Sequence, residues 1–333
     1  MKSPSVTRRA LLGTLATVAV ARPSAQASAS SLLQSAIDQL RGRGGVLRCA
    51  PGVTYLCDQP IVFDDVAQVT VEGNRSCWYY TGAGPAFVSA RGALQVSWHD
   101  LRLHAAPGFA GYLVDTDWSG TRRDPSHLRW TDCEFVGGGS ARACLRLNRA
   151  IFSSVDHCQF TGAHWGILGV DGAYSNVTTI GGASAFYSLN QAGIYNAGES
   201  WTISGNGFEP LTNGTACAYT QDLALYVKGF SYHGNWHGDI TQPGGCWVTV
   251  RGGGLSFGTN YWGEPQGPCV RFVGVQGAVM HTSHNQAHHL IDFAGGYSRN
   301  VTLIGNDQGI GAVTRREYCI GFRSINNFGP VDV

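Results

Sequence analysis

The sequence predicts an all-β, parallel β-solenoid of about ten coils, closed at its N-terminal end by one short helix. Three observations carry that expectation: a motif that recurs about every 25 residues, a surplus of glycine with a shortage of charge, and the absence of helical periodicity outside one segment. The chain has 46 glycines in 333 residues, about twice the usual share, while Asp, Glu, Lys and Arg make up 14% against a norm of about 25%. Hydrophobic residues still reach 43%, so the missing charge signals a packed, turn-rich fold rather than disorder.

The repeat is seen where apolar runs end in a small polar group and an aromatic, as in Trp130-Thr131-Asp132-Cys133-Glu134-Phe135, Val155-Asp156-His157-Cys158-Gln159-Phe160 and Ile203-Ser204-Gly205-Asn206-Gly207-Phe208. Aligned on the central residue, a first ladder runs through Asn74, Leu101, Cys133, Cys158, Ala183, Asn206, Asn235, Asn260, Asn285 and Asn306. A second runs through Phe87, Leu113, Cys144, Ile167, Ile194, Cys217, Cys246, Cys269, Leu290 and Cys319. Stacked strands at about 4.8 Å per coil make a rod roughly 45 Å long. Asparagines recurring at one turn can satisfy buried backbone groups and one another.

Ten cysteines in an exported chain ordinarily mean a disulfide framework. Here Cys144, Cys217, Cys246, Cys269 and Cys319 occupy positions that Phe, Leu and Ile take in other coils, so they read as buried thiols. Cys49 and Cys57, which flank one turn, are the pair best placed for a local disulfide.

Residues 1–27 have the pattern of a twin-arginine-type export signal, with Arg8-Arg9 before the apolar run Ala10 to Ala21 and the small-residue site Ala25-Gln26-Ala27. The expected product is a single domain, 28–333, that is periplasmic or extracellular and has no inserted membrane segment. Loss of Lys2, Arg8, Arg9 and Arg22 takes the net charge from +1 to about −3. Such a chain has no basic surplus with which to bind nucleic acid.

At the start of this domain Ser31-Leu32-Leu33-Gln34 has the spacing of a capping box, followed by apolar residues at 33, 36, 37 and 40 and a stop at Gly42. This amphipathic helix would cover the open edge and interior of the first coil. Ala36-Ile37-Asp38-Gln39-Leu40, Gly44-Gly45-Val46-Leu47 and Pro51-Gly52-Val53-Thr54-Tyr55 then resemble the opening of right-handed parallel β-helix proteins of the pectate lyase-like superfamily. The resemblance covers roughly residues 31–325. It implies the right-handed β-helix and a range of functions: pectate and alginate lyases, polygalacturonase-like hydrolases, epimerases and noncatalytic tail spikes.

The family's enzyme motifs match only in fragments. The polygalacturonase pattern is not found in the coils. Val155-Asp156-His157-Cys158 resembles a pectate lyase strand, but Trp165 stands where the acidic residue that helps bind calcium is expected, and no Arg-x-Pro-x-x-Arg follows. Arg123-Asp124-Pro125-Ser126-His127 resembles the Asp-Pro-His element of alginate epimerases with a residue inserted. No cofactor is expected; calcium is the one the resemblance would allow.

Stacking should gather Asp100, Arg102, Asp132, Glu134 and His157 on one outer strip, where neighbouring carboxylates can form acid/base pairs or, more simply, a solvated face with a compensating Arg. The excursion Asp117-Trp118-Ser119-Gly120-Thr121-Arg122-Arg123-Asp124 is placed to wall a groove beside it. Trp236, His237, Tyr261 and Trp262 form a possible aromatic platform, and His281, His284, His288 and His289 are expected to be surface turn rather than metal ligands.

The expected function is an exported carbohydrate-active enzyme on a polysaccharide, foremost a lyase. In that scheme Arg102 or Arg146 neutralises a uronate carboxylate, His157 or another base removes the α-proton, and Trp118, Trp236 and Trp262 contact sugar. The alternatives are hydrolysis by two of Asp100, Asp132 and Glu134, or a noncatalytic glycan-binding solenoid.

Overall fold

The computed structural model describes residues 16–23, 28–117, 123–170, 175–196, 198–209, 217–219, 227–238, 246–263, 267–281, 284–285, 289–305 and 312–325. Among the described residues every strand pairing is parallel and joins a strand to its counterpart in a neighbouring coil, giving a right-handed parallel β-helix of about ten coils. Among the described residues no helix is long and apolar enough to cross a membrane.

Side chains at one register position stack through the core. Phe135, Phe160, Phe186 and Phe208 lie on successive coils with ring centroids 4.8, 4.8 and 4.9 Å apart and nearly parallel planes. Those distances are the strand spacing itself, so the stack records the register directly. The column continues into His237 and Trp262, both wholly buried. Burial there pushes the His237 imidazole down to about 3, so the ring is neutral. It lies 2.6 Å from the Tyr232 hydroxyl and 2.7 Å from the Tyr261 carbonyl.

The asparagine ladder forms as expected. Asn235 Oδ1 accepts from the backbone N–H and the amide of Asn206, both at 3.1 Å, and Asn260 Oδ1 receives the Asn235 backbone N–H at 3.0 Å. Asn206 and Asn235 each donate across a coil to a carbonyl, Ile180 and Ile203 respectively. Cys133 and Cys158 take this position in earlier coils, their thiols donating to the Trp98 and Trp130 carbonyls.

The ladders slip in places. Leu101 pairs with Ser76 rather than Asn74, because Asn74 and Arg75 make a two-residue left-handed corner with φ 52° and 58°. Asn285 pairs with Trp262, a strand position, and Asn306 lies outside the described residues. In the second ladder the true register is Val114, Leu145, Ile167, Ile194, Cys217, Val248, Val270, Ile291 and Val313. Leu113, Cys144, Cys246, Cys269 and Leu290 precede it by one or two positions but are still buried. Cys319 pairs with Ser298, on another side of the coil.

Cys49 and Cys57 are free thiols, as are the other described cysteines for which pairing is resolved. Their side chains occupy core positions, 1% and 0% exposed, so the turn between them does not bring the sulfurs together in a bridge.

The helix spans Ser30–Leu40 and buries Leu33, Ala36, Ile37 and Leu40 against the first coil. The capping box does not form: Ala29 is the N-cap and no side chain caps the helix. Ser30 and Gln34 serve the sheet instead. Ser30 Oγ accepts the N–H groups of Asp58 and Gln59 at 3.1 and 3.0 Å, and the Gln34 amide pairs with both the N–H and the C=O of Val62 at 2.8 and 3.1 Å. Residues Thr17–Val20, inside the apolar run of the expected signal, form a strand parallel to Gly45–Cys49 and so extend the sheet by one edge strand.

Candidate functional site

Asp100, Asp132 and His157 share one column, but it is a corner rather than an outward strand face. Their φ values are 50°, 54° and 50°, and the next coils place Gly182, Gly205 and Gly234 at the same corner. Glycine adopts this left-handed conformation freely, and Asp and His tolerate it better than most side-chain-bearing residues. Backbone geometry therefore accounts for these residue types. The Asp132 carboxylate lies 3.4 Å from His99 Nδ1 and the His157 Nδ1 3.3 Å from Asp156, in pairs that are about half exposed and contribute little.

Arg102 and Glu134 do stand on one outward column, with Gln159, Ala185, Gly207, Trp236 and Tyr261 following coil by coil. Glu134 is already engaged: Arg102 Nε lies 3.2 Å from one oxygen and His104 Nε2 3.1 Å from the other. Burial lowers the His104 pKa against the pull of Glu134, which keeps the imidazole neutral at pH 7. Of the aromatic platform, Trp236 and Tyr261 face outward with stacked rings, whereas His237 and Trp262 point into the core by strand alternation. Trp262, wholly buried, has no surface to offer a sugar.

Arg146 lies on a different face. Gly138 and Gly139, with φ of 65° and 84°, bend the chain between Val136 and Ala141, so Glu134 and Arg146 occupy different sides of the coil although they belong to one continuous strand, Glu134–Leu147. Past the bend a cavity of about 580 Å³ is lined by Tyr112, Arg142, Arg146, Trp165, Gln191 and Tyr195, among others. Ala143 pairs with Tyr112 on one side and Trp165 on the other, so the small side chain leaves the two rings as walls. Trp165 meets Tyr195 edge-on at 5.1 Å. The guanidinium groups of Arg146 and Arg142 lie 5.0 and 5.7 Å from the centre of the Tyr112 ring. Arg146 Nη1 pairs with Asp115 at 2.9 Å, while Arg142 is exposed and makes no ion pair among the described residues.

Behind Arg146, burial raises the Asp115 carboxyl above its ordinary range, Arg146 pulls it back and the Asp117 charge pushes it up further. Asp117 donates its backbone N–H to Asp115 at 3.1 Å and accepts from the Asn148 amide at 2.7 Å.

Sequence reasoning found Arg146 but not Tyr112, Arg142, Trp165, Gln191, Tyr195 or the role of Asp115. The obstacle is local: Ala143, Cys144 and Leu145 are all buried, as are Leu113 and Val114, so the alternation that marks outward residues fails on this side of the coil. Trp118 lies outside the described residues, as does His288. Among the described residues no His, Cys, Asp and Glu side chains gather in threes to hold a metal.

No protein-family model matches the chain, and no curated protein matches it. Solved structures do resemble it. DFA-IIIase from Arthrobacter chlorophenolicus A6, in complex with GF2, is 13% identical with a TM-score of 0.61, over 91% of this chain and 97% of that one. The tailspike protein of E. coli bacteriophage HK620, in complex with a pentasaccharide, is 11% identical with a TM-score of 0.57, over 88% of this chain and 64% of the tailspike. PfbA, a surface adhesin of Streptococcus pneumoniae, is 11% identical with a TM-score of 0.51, over 91% and 88%. At these identities the likeness is one of fold.

Proposed function

We propose that the protein is an exported carbohydrate-active enzyme that binds an acidic polysaccharide in the groove between Tyr112 and Tyr195, with residues 1–27 as its twin-arginine-type signal. The observation that carries this reading is the groove itself: three aromatic rings and Arg142, which makes no ion pair among the described residues, around about 580 Å³ of open space. Aromatic faces take the C–H side of sugar rings, and a guanidinium forks onto a carboxylate. Two of the similar folds, the DFA-IIIase and the tailspike, have solved complexes named for GF2 and a pentasaccharide, which supports a glycan ligand.

The reaction we assign is β-elimination at a uronic acid residue. Arg142 would neutralise the uronate carboxylate and so stabilise the charge that develops when the α-proton leaves. Tyr112, whose ring centre lies 5.0 and 5.7 Å from the two guanidinium groups, would take the α-proton as its phenolate; the electron pair then forms the C4=C5 double bond as the C4–O bond breaks, and the proton passes on to the departing oxygen. Hydrolysis is the second reading; the carboxyl it would use is Asp115, paired at 2.9 Å with the groove residue Arg146. His157 stands at a solvated corner and has no part in either scheme.

Incubation with polygalacturonate, alginate and hyaluronan separates these readings. Unsaturated products that absorb in the ultraviolet together with new reducing ends identify elimination, and reducing ends alone identify hydrolysis. Absence of both across the panel rejects the enzymatic reading.

A further inference from the structure

The outward column that begins with Arg102 and Glu134 holds a second recess, distinct from the arginine groove. Between Gln159 and Trp236 the two intervening positions are Ala185 and Gly207. Three coil steps at about 4.8 Å span roughly 14 Å along the rod, floored by one methyl group and one glycine. A methyl group at Gly207 would meet no atom within 4 Å, so the floor is open to solvent.

Trp236 forms one end wall. The residue is 44% exposed. Tyr261 covers one face, with centroids 6.3 Å apart and planes within 5°, and the opposite face looks over Gly207 with no side chain above it. The indole N–H has no hydrogen-bond partner among the described residues. Glu209, just past the strand Gly207–Phe208, continues its pairing by donating its N–H to the Phe186 carbonyl at 3.0 Å, so alternation puts it on the outward side with Gly207; it is exposed and takes no cation among the described residues. At the far end the Tyr187 hydroxyl donates to Gln159 Oε1 at 3.4 Å.

We propose that this recess is a binding site for neutral sugar residues, one ring stacked on the open face of Trp236 and its hydroxyls bonded to Glu209. Stacking uses the C–H face of a pyranose, and a carboxylate accepts two hydroxyl hydrogen bonds. The charge selects the class: a carboxylate with no neighbouring cation repels a uronate, the opposite of the groove, where Arg142 attracts one. The site would hold a glycan by its neutral stretches while the groove handles acidic residues. It rests on the carbohydrate reading but not on the groove.

The test is calorimetric titration of the full chain with cellohexaose, maltohexaose, xylohexaose, mannohexaose and chitohexaose, and with hexagalacturonate as the acidic control. At least one neutral hexaose binds. Trp236→Ala weakens it by about tenfold or more, as loss of a stacked aromatic does. Gly207→Phe, which fills the recess at a position whose backbone any residue adopts, abolishes it, and Arg142→Ala leaves it unchanged. Thermal melting of each variant checks folding, and Glu209→Gln, an isosteric surface change, provides a third variant that weakens binding. The proposal is overturned by no binding of any neutral hexaose, by binding that survives both Trp236→Ala and Gly207→Phe, or by hexagalacturonate binding that depends on Trp236. Failure of the groove reading would show separately, as hexagalacturonate binding indifferent to Arg142→Ala.

Discussion

A single register position can hold a residue for its chemistry or for its backbone, and the corner at Asp100, Asp132 and His157 is the second case. Because His157 has φ 50°, replacing it by Gly should leave stability unchanged or raise it slightly, while Ala should cost about 1 kcal/mol in denaturant unfolding. Neither change should alter glycan binding. The ladder Asn235 makes the opposite prediction. Its removal leaves the Asn206 N–H without its acceptor and takes the amide donor from the Ile203 carbonyl in the interior, so Asn235→Ala should lose about 1–3 kcal/mol, read as a lower denaturation midpoint. His237 adds a pH dependence. Its folded-state pKa is about 3, below the unfolded value near 6.5, so the unfolded chain binds the extra proton. The contribution of the neutral ring to stability is complete above pH 6.5 and is lost as pH falls from there toward 3. Melting temperature should decline over that window, and His237→Phe, which continues the phenylalanine stack, should flatten the decline while lowering stability at pH 7 through loss of the hydrogen bond between His237 and Tyr232.

At the scale of elements, the parts that repeat in type were legible and the parts that bend were not. Asn206, Asn235 and Asn260 could be placed from sequence because a buried corner needs the same amide in each coil. The phenylalanine stack could be placed for the same reason. Tyr112 and Trp165 could not, since the sheet that carries them buries Ala143, Cys144 and Leu145 in succession and hides which residues face outward. The helix was correctly bounded by its apolar face, yet Ser30 and Gln34 satisfy the backbone of the next coil rather than the helix terminus. The N-terminal edge carries its own prediction. Cleavage after Ala27 would remove Thr17–Val20 and leave the Gly45–Cys49 strand unpaired on that side. Amide exchange at Val46 and Arg48 should then be faster in the shortened chain than in the full one, and equal rates would show that this pairing contributes nothing.

For the whole molecule, the shortage of charge and the surplus of glycine follow from a rod whose interior is stacked Phe, Ile, Val and Cys and whose corners require left-handed backbone. The thiols belong to that interior. Burial pushes Cys57 up to about 12 and Cys246 up to about 11, so native protein at pH 8 should resist alkylation at both until it is unfolded. Function is then left to the outward positions where aromatic and charged side chains break the smooth surface, and the groove brings together Tyr112, Arg142, Trp165 and Tyr195. The most direct test of that assignment is calorimetric titration of the protein and its Arg142→Ala and Trp165→Ala variants with hexagalacturonate, hexaguluronate and hyaluronan hexasaccharide. The groove predicts binding of at least one acidic hexasaccharide, weakened about tenfold or more, some 1.4 kcal/mol, by each substitution. Binding that is absent throughout, or undiminished in both variants, would contradict it.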